Sequence, residues 1–234
     1  MIKYFNMGPF VVPSYGFTVL IGVLICNLIM GYTLRTDEKS LKEALLLELC
    51  GGIGAIAGAK LLGAGAYSYF GGLLGFCVVS YGFVRLFRMD GSYLAGRVFW
   101  LITLLHSIWK IGCFLGGCCY GIPYEGPFAV IFPEGVNELG GVSVFPVQIA
   151  ESLVAFIIAI AIVLLVKAEK LKHPVPFYLV VYGLSRFFLE FLRYHNGKTL
   201  GIAHLYAVLC VLAGCIVLFI LRRKENGRER SKDI

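Results

Sequence analysis

Charge is scarce in this chain. Asp, Glu, Lys and Arg make up 15% of its 234 residues, against about 25% in soluble domains, and its mean hydropathy is +0.83. A water-soluble fold is excluded. Polar linkers are also missing, so nothing divides the apolar chain into separate domains. Strict apolar–polar alternation is absent; the apolar runs are long and continuous, which excludes a β-barrel. The first run has no basic segment ahead of it and no small-residue cleavage site behind it, so no cleavable signal peptide is expected. A soluble-type phosphate loop is lacking too. GAIAGAKLLGAG, residues 54–65, has the glycines of a nucleotide loop without the Lys-Ser/Thr ending. It reads as a small-residue face for close helix packing. No sequence repeat and no inverted halves of a transporter are apparent.

What remains is an all-α polytopic membrane protein. A spanning helix needs about 20 largely apolar residues. Seven runs reach that length, over 12–34, 44–66, 69–88, 94–118, 146–166, 175–193 and 200–221. The second and third are joined by almost nothing, so a tight glycine-rich hairpin is expected. The segment 122–145, rich in Pro and Gly, reads as an irregular surface loop. One set of connections holds Arg35, Lys39 and Lys42, then Arg85 and Arg88, then Lys167, Lys170 and Lys172. The opposite side has Lys3, no Lys or Arg in 122–145, and Arg193 with Lys198. The positive-inside rule then places the N-terminus outside and the C-terminus in the cytoplasm. The expected organisation is one seven-helix transmembrane domain over 1–221 and a basic cytoplasmic tail over 222–234. The formal charge of +7 is densest in that tail, at Arg222, Arg223, Lys224, Arg228, Arg230 and Lys232. Such a juxtamembrane cluster is a topology signal and anionic-lipid anchor, so no nucleic-acid partner is expected.

Ionisable residues inside apolar runs are costly and mark function or deliberate pairing. Trp109–Gly121, WKIGCFLGGCCYG, places Lys110, Cys113, Cys118, Cys119 and four glycines in one stretch. Arg186 and Glu190 stand four apart, on one helical face and within ion-pair reach. Either they lock helices together, or Arg186 with Arg193 further along binds an anionic head group, which a guanidinium fork suits. Glu151 follows Gln148 at the mouth of the fifth run. It is a helix-start carboxylate or a bridge to Arg186 or Lys110, or else it bonds a substrate hydroxyl or orients a base. Tyr15, on its own, is an interfacial aromatic. Cys26, Cys50, Cys77, Cys210 and Cys215 read as small buried hydrophobes. Cys113, Cys118 and Cys119 are packing thiols by default, with a Cys113–Cys118 disulfide, nucleophiles and metal ligands as the alternatives. Four soft ligands at a recognisable spacing are missing and His106 is the one nearby histidine, so no metal is expected.

Six short segments then occur in one order: SYG at 14–16, GAKLLG at 58–63, FGGLLG at 70–75, KIGCFLGGCCYG at 110–121, FPVQIAE at 145–151 and YGLSRFFLEFLR at 182–193. Together they resemble the signature motifs of the prolipoprotein diacylglyceryl transferase family of bacterial inner membranes, over most of the chain. Departures from the family pattern are Phe70 and Phe145 at its histidine positions, Cys113 and Gly116 at its asparagines, and Ala150 at a tyrosine. The head-domain insertion before the double glycine is missing as well.

The resemblance implies a multi-pass enzyme of the bacterial inner membrane that needs no cofactor. Its reaction would move the diacylglyceryl group of phosphatidylglycerol to the lipobox cysteine thiol of a prolipoprotein signal peptide. Carried over position by position, it puts Arg186, Glu190, Glu151 and Tyr15 at the catalytic centre. Arg193, Lys110, Lys60, Gly71, Gly72, Gln148, Gly112 and Gly117 become substrate-binding. The cations would stabilise the departing phosphate, with Glu151 and Glu190 orienting them and either serving as base. Tyr15 would bond the lipid ester or glycerol, and Gly71 and Gly72 would let the head group approach backbone. The departures keep two alternatives open: a divergent paralogue with another acceptor, and a non-catalytic lipid-binding membrane protein.

Overall fold

The structure is a computed structural model that describes residues 4–7, 10–61, 69–195 and 201–230. A hairpin of β1 (Tyr4–Met7) and β2 (Phe10–Pro13) leads into α1 (Ser14–Thr33), α2 (Glu38–Leu61), α3 (Tyr69–Leu86) and α4 (Gly91–Gly116). After β3 (Val130–Ile131) and β4 (Ser143–Val144) come α5 (Val147–Lys167), α6 (Pro174–Glu190) and α7 (Ile202–Arg230). The helices fall where the seven apolar runs predict them. The two short antiparallel pairs, β1 with β2 and β3 with β4, are not foreseen by an all-α reading, because two- and four-residue strands are too short to register a period. Among the described residues, α1, α2, α4, α5 and α7 are long and apolar enough to cross a membrane. The 17 residues of α6 fall short of that length. The α2–α3 connection, where the tight hairpin is expected, lies outside the described residues, as does the side chain of Phe70.

The chain falls into two compact units, one of Met1–Asn27 with Phe99–Ile234 and one of Leu28–Val98. In the second unit α2 and α3 pack antiparallel through glycine. A methyl group at Gly58 would strike the Gly71 carbonyl, one at Gly75 would strike that of Gly54, and one at Gly54 would lie 2.7 Å from the Gly75 oxygen. Helix backbones that approach this closely gain dispersion contact that larger residues would forbid. Within its described part, 54–61, the expected packing face is present, with Gly54 and Gly58 as its contact points. Asp37 and Asp90 start α2 and α4 as N-caps, accepting from the Ser40 amide at 3.0 Å and the Tyr93 amide at 2.9 Å. Hydrogen bonds from Ser40 hold the Asp37 carboxyl below the usual carboxylate range.

In the first unit the start of α1 runs antiparallel to the end of α4. A methyl group at Gly112 would lie 3.1 Å from Thr18, and one at Gly22 would press on Leu105 and Ile108. The Cys26 thiol donates to the Leu101 carbonyl at 3.4 Å. Between α4 and α5 the Ser152 hydroxyl donates to the Ser107 carbonyl at 2.9 Å. On α6 and α7, Gly183 sits against the Ala207 carbonyl and Gly214 against that of Pro176. α7 continues through Arg222, Arg223 and Lys224, so the basic segment begins as helix, where His173 meets Glu225 at 3.3 Å.

The segment 122–145, expected as an irregular surface loop, is anchored at points along its length and carries β3 and β4. Phe132 and Val144 have no exposed surface, and the Phe132 ring packs on Phe114 of α4. Apolar residues among its prolines and glycines supply that anchor. The segment also pairs with the chain leaving α6: Ile122 N–H donates to the Leu192 carbonyl at 3.0 Å and Tyr194 N–H to that of Tyr120 at 3.1 Å. Gly121 sits between the Phe145 and Leu192 carbonyls, where a side chain would not fit. These bonds bring the cysteine stretch and the end of α6 to one end of the unit.

Candidate active site

That end of the first unit carries a buried ionic network. Glu151, on the second turn of α5, is 5% exposed, and Glu190, the last residue of α6, is 1% exposed. Lys110 of α4 and Arg186 of α6 both pair with Glu151. The other guanidinium nitrogen of Arg186 lies 2.5 Å from Glu190. Arg193 reaches Glu190 at 4.0 Å, and His195 Nε2 lies 2.8 Å from its second oxygen. The i,i+4 pairing of Arg186 with Glu190 follows helical geometry, and Glu151 takes both partners that the sequence offered it. Among the described residues of the network three cations meet two carboxylates, one positive charge more than those carboxylates carry. In a low-dielectric setting such an excess calls for an anion.

The surroundings fix these groups. Gln148 is fully buried; its amide nitrogen donates to the Cys118 carbonyl at 2.8 Å, while its oxygen finds no partner among the described residues. Asn137 donates to the Gly117 carbonyl at 3.0 Å, and Gly117 adopts a left-handed φ of 72° that glycine tolerates best. Tyr15 of α1 stands beside Gly112 and meets the Trp109 ring edge-on at 5.8 Å. Hydrogen bonds from Cys113 and Cys118, then the charges of Arg193 and Lys110, hold the Cys119 thiol below its ordinary value. Burial and the neighbouring Glu138 hold the Tyr120 phenol above its own.

Of the residues singled out in the sequence, Arg186, Glu190, Glu151, Lys110, Arg193, Gln148, Gly112, Gly117 and Tyr15 belong to the first unit. Lys60, Gly71 and Gly72 belong to the second. Lys60 is exposed at the last turn of α2, and Gly71 lies in the α2–α3 contact. Two histidines escape helical-spacing logic. His195 lies five residues beyond Glu190 and past the end of α6, so only the turn of the chain returns it to that carboxylate. His106, one helical turn before Lys110, stands 3.5 Å from the hydroxyls of both Tyr178 and Tyr182.

The profile of the prolipoprotein diacylglyceryl transferases matches residues 62–220, which span the whole network. The chain belongs to this family. A phosphatidylglycerol–prolipoprotein diacylglyceryl transferase of Clostridium perfringens (strain 13 / Type A) is 28% identical over 251 residues, covering 92% of this chain and 94% of that protein. One from Clostridium tetani (strain Massachusetts / E88) is 24% identical over 245 residues, covering 95% and 98%. One from Nitrosomonas europaea is 24% identical over 258 residues, covering 97% and 91%. Within this family the chain is a multi-pass membrane protein and a transferase of lipoprotein biosynthesis. Phe145, which the resemblance sets at a histidine of the family pattern, meets the Tyr124 ring edge-on at 5.4 Å.

Proposed function

We propose that this protein transfers the diacylglyceryl group of phosphatidylglycerol to the cysteine thiol of a lipoprotein precursor, presented in a lipobox signal peptide. It does so in the bacterial inner membrane, with seven spans, the N-terminus outside and the C-terminus in the cytoplasm. The observation that carries this reading is the buried network with its one unneutralised positive charge, in a chain of this family. Arg186, Arg193 and Lys110 take the phosphodiester, and the glycerol head supplies a hydroxyl to the unpartnered oxygen of Gln148. Tyr15, at the mouth of α1, bonds the lipid ester. Lys60, Gly71 and Gly72 are kept as head-group positions on the family resemblance.

The chemistry is displacement at a glycerol carbon. The sulfur–carbon bond forms as the carbon–oxygen bond to phosphate breaks, and the arginines stabilise the charge that builds on the leaving oxygen. With the family's histidine positions occupied by phenylalanine, His195 is the base. Its Nε2 faces Glu190, so that nitrogen carries the hydrogen and Nδ1 is left to accept the thiol proton. The proton then departs with glycerol phosphate. Purified protein in phosphatidylglycerol vesicles should add one diacylglyceryl mass to a lipobox-cysteine peptide and none to its Cys→Ser counterpart. An unmodified cysteine peptide, with phosphatidylglycerol consumed all the same, would instead favour another acceptor, the reading that Phe145 supports.

A further inference from the structure

The reaction described above has no use for the three thiols at the end of α4. Cys113, Cys118 and Cys119 converge until their Sγ atoms all lie within 4.8 Å of one another. Packing thiols have no reason to seek each other, because a small apolar side chain gains as much from any apolar neighbour. Three sulfurs around one soft ion, at a metal–sulfur length of about 2.3 Å, stand about 4 Å apart. The cluster is thus within about 1 Å of ligating geometry in its present form. Among the described residues no other group of three ligating side chains comes together.

The backbone is bent to achieve this. Cys118 N–H donates back to the Cys113 carbonyl at 3.1 Å, closing the turn. Gly117 takes a left-handed φ, and so does Cys119, at 58°. A residue with a Cβ disfavours that region by about 1–2 kcal/mol and is held there only by its surroundings. Those surroundings are the hydrogen bonds from Gln148 to the Cys118 carbonyl and from Asn137 to the Gly117 carbonyl. The result directs the third thiol toward the other two. Cys113 is 4% exposed, forming the floor, whereas Cys118 is exposed and leaves a way in.

We propose that Cys113, Cys118 and Cys119 form a three-thiolate site for a soft d10 cation, with Cu(I) as the ion it fits best. Soft thiolates select such ions. Zn(II) takes a fourth ligand in structural sites, and among the described residues no fourth His, Cys, Asp or Glu joins the three thiols.

The test is a competition titration on the full chain, reduced and kept anaerobic in detergent, with Cu(I) presented by a chromophoric chelator. The wild type should withdraw one Cu(I) per chain, and X-ray absorption should count three sulfur neighbours. Cys119→Ser and Cys118→Ser should each weaken binding by more than about 100-fold, beyond the loss typical of an outer-shell change. Cys210→Ser should bind as the wild type does. Thermal unfolding of each variant checks that it is folded, and exposed Cys118 gives the substitution least able to disturb the core. Chelator that keeps all its Cu(I), or equal affinity in wild type and Cys118→Ser, would overturn the site. So would a disulfide among the three that reduction opens without creating Cu(I) binding.

Discussion

Replacing Glu151 by glutamine should destabilise this protein through Lys110. Glu151 joins three helices, α4, α5 and α6, by pairing with Lys110 and Arg186. The substitution keeps the volume and removes the charge. Arg186 retains Glu190 at 2.5 Å, but Glu151 is the one carboxylate that pairs with Lys110 among the described residues, and the lysine side chain is only 13% exposed. A buried ion left without its partner costs about 3–5 kcal/mol. At about 2–4 °C per kcal/mol for a chain of this size, the midpoint should fall by roughly 6–20 °C. Removing the stranded charge should recover much of that, so Lys110→Met combined with Glu151→Gln should cost less than the two single losses summed. The expected coupling is about 0.5–3 kcal/mol. Both tryptophans, Trp100 and Trp109, lie on α4, so their emission in lipid nanodiscs reports the transition. Strictly additive losses, or a Glu151→Gln midpoint within about 2 °C of wild type, would refute the claim that this carboxylate ties the helices together.

Three further outcomes are expected. Gly58→Leu should prevent α2 and α3 from closing, because the obstacle is the Gly71 carbonyl and backbone cannot swing aside; Gly52→Ala, which meets nothing within 4 Å, should be neutral or stabilising by up to about 1 kcal/mol. Limited proteolysis and thermal unfolding separate the two. His195→Asn should slow transfer by about 10²–10⁴-fold, the usual contribution of a general base, while the unfolding midpoint moves little, since Glu190 keeps Arg186 at 2.5 Å. Gln148→Leu should raise the phosphatidylglycerol concentration needed for half-maximal transfer and loosen the turn at Cys118, which hydrogen exchange at that turn would register.

Seven helices, and the pairing of Arg186 with Glu190, were legible in the sequence because both follow a period: about 20 apolar residues for a span and a spacing of four for one helix face. Glu151 was legible as a bridge, although its two possible partners could not be ranked before α4, α5 and α6 were seen to converge. His195 was not legible, since the chain leaves α6 at Glu190 and returns by a turn that has no period. The three cysteines were legible as sequence neighbours, with metal ligation among their alternatives, but the convergence of their thiols was not. That convergence depends on the left-handed backbone at Gly117 and Cys119, and a search for four ligands at zinc spacing passes it by. The short strands and the buried Phe132 show that a Pro- and Gly-rich segment can still be pinned by a few apolar side chains.

The central claim is that the excess positive charge of the network serves a phosphodiester. Its most direct test is turnover in phosphatidylglycerol vesicles with a lipobox-cysteine peptide, following glycerol phosphate release and peptide mass together. Arg186→Lys keeps the charge against Glu151 and Glu190 while losing the two-pronged guanidinium, and so avoids stranding two buried carboxylates. The account predicts one glycerol phosphate per modified peptide in the wild type, and a fall of about 10²–10³-fold in Arg186→Lys with the protein still folded. Equal rates in the two proteins, or peptide modification without glycerol phosphate, would contradict it.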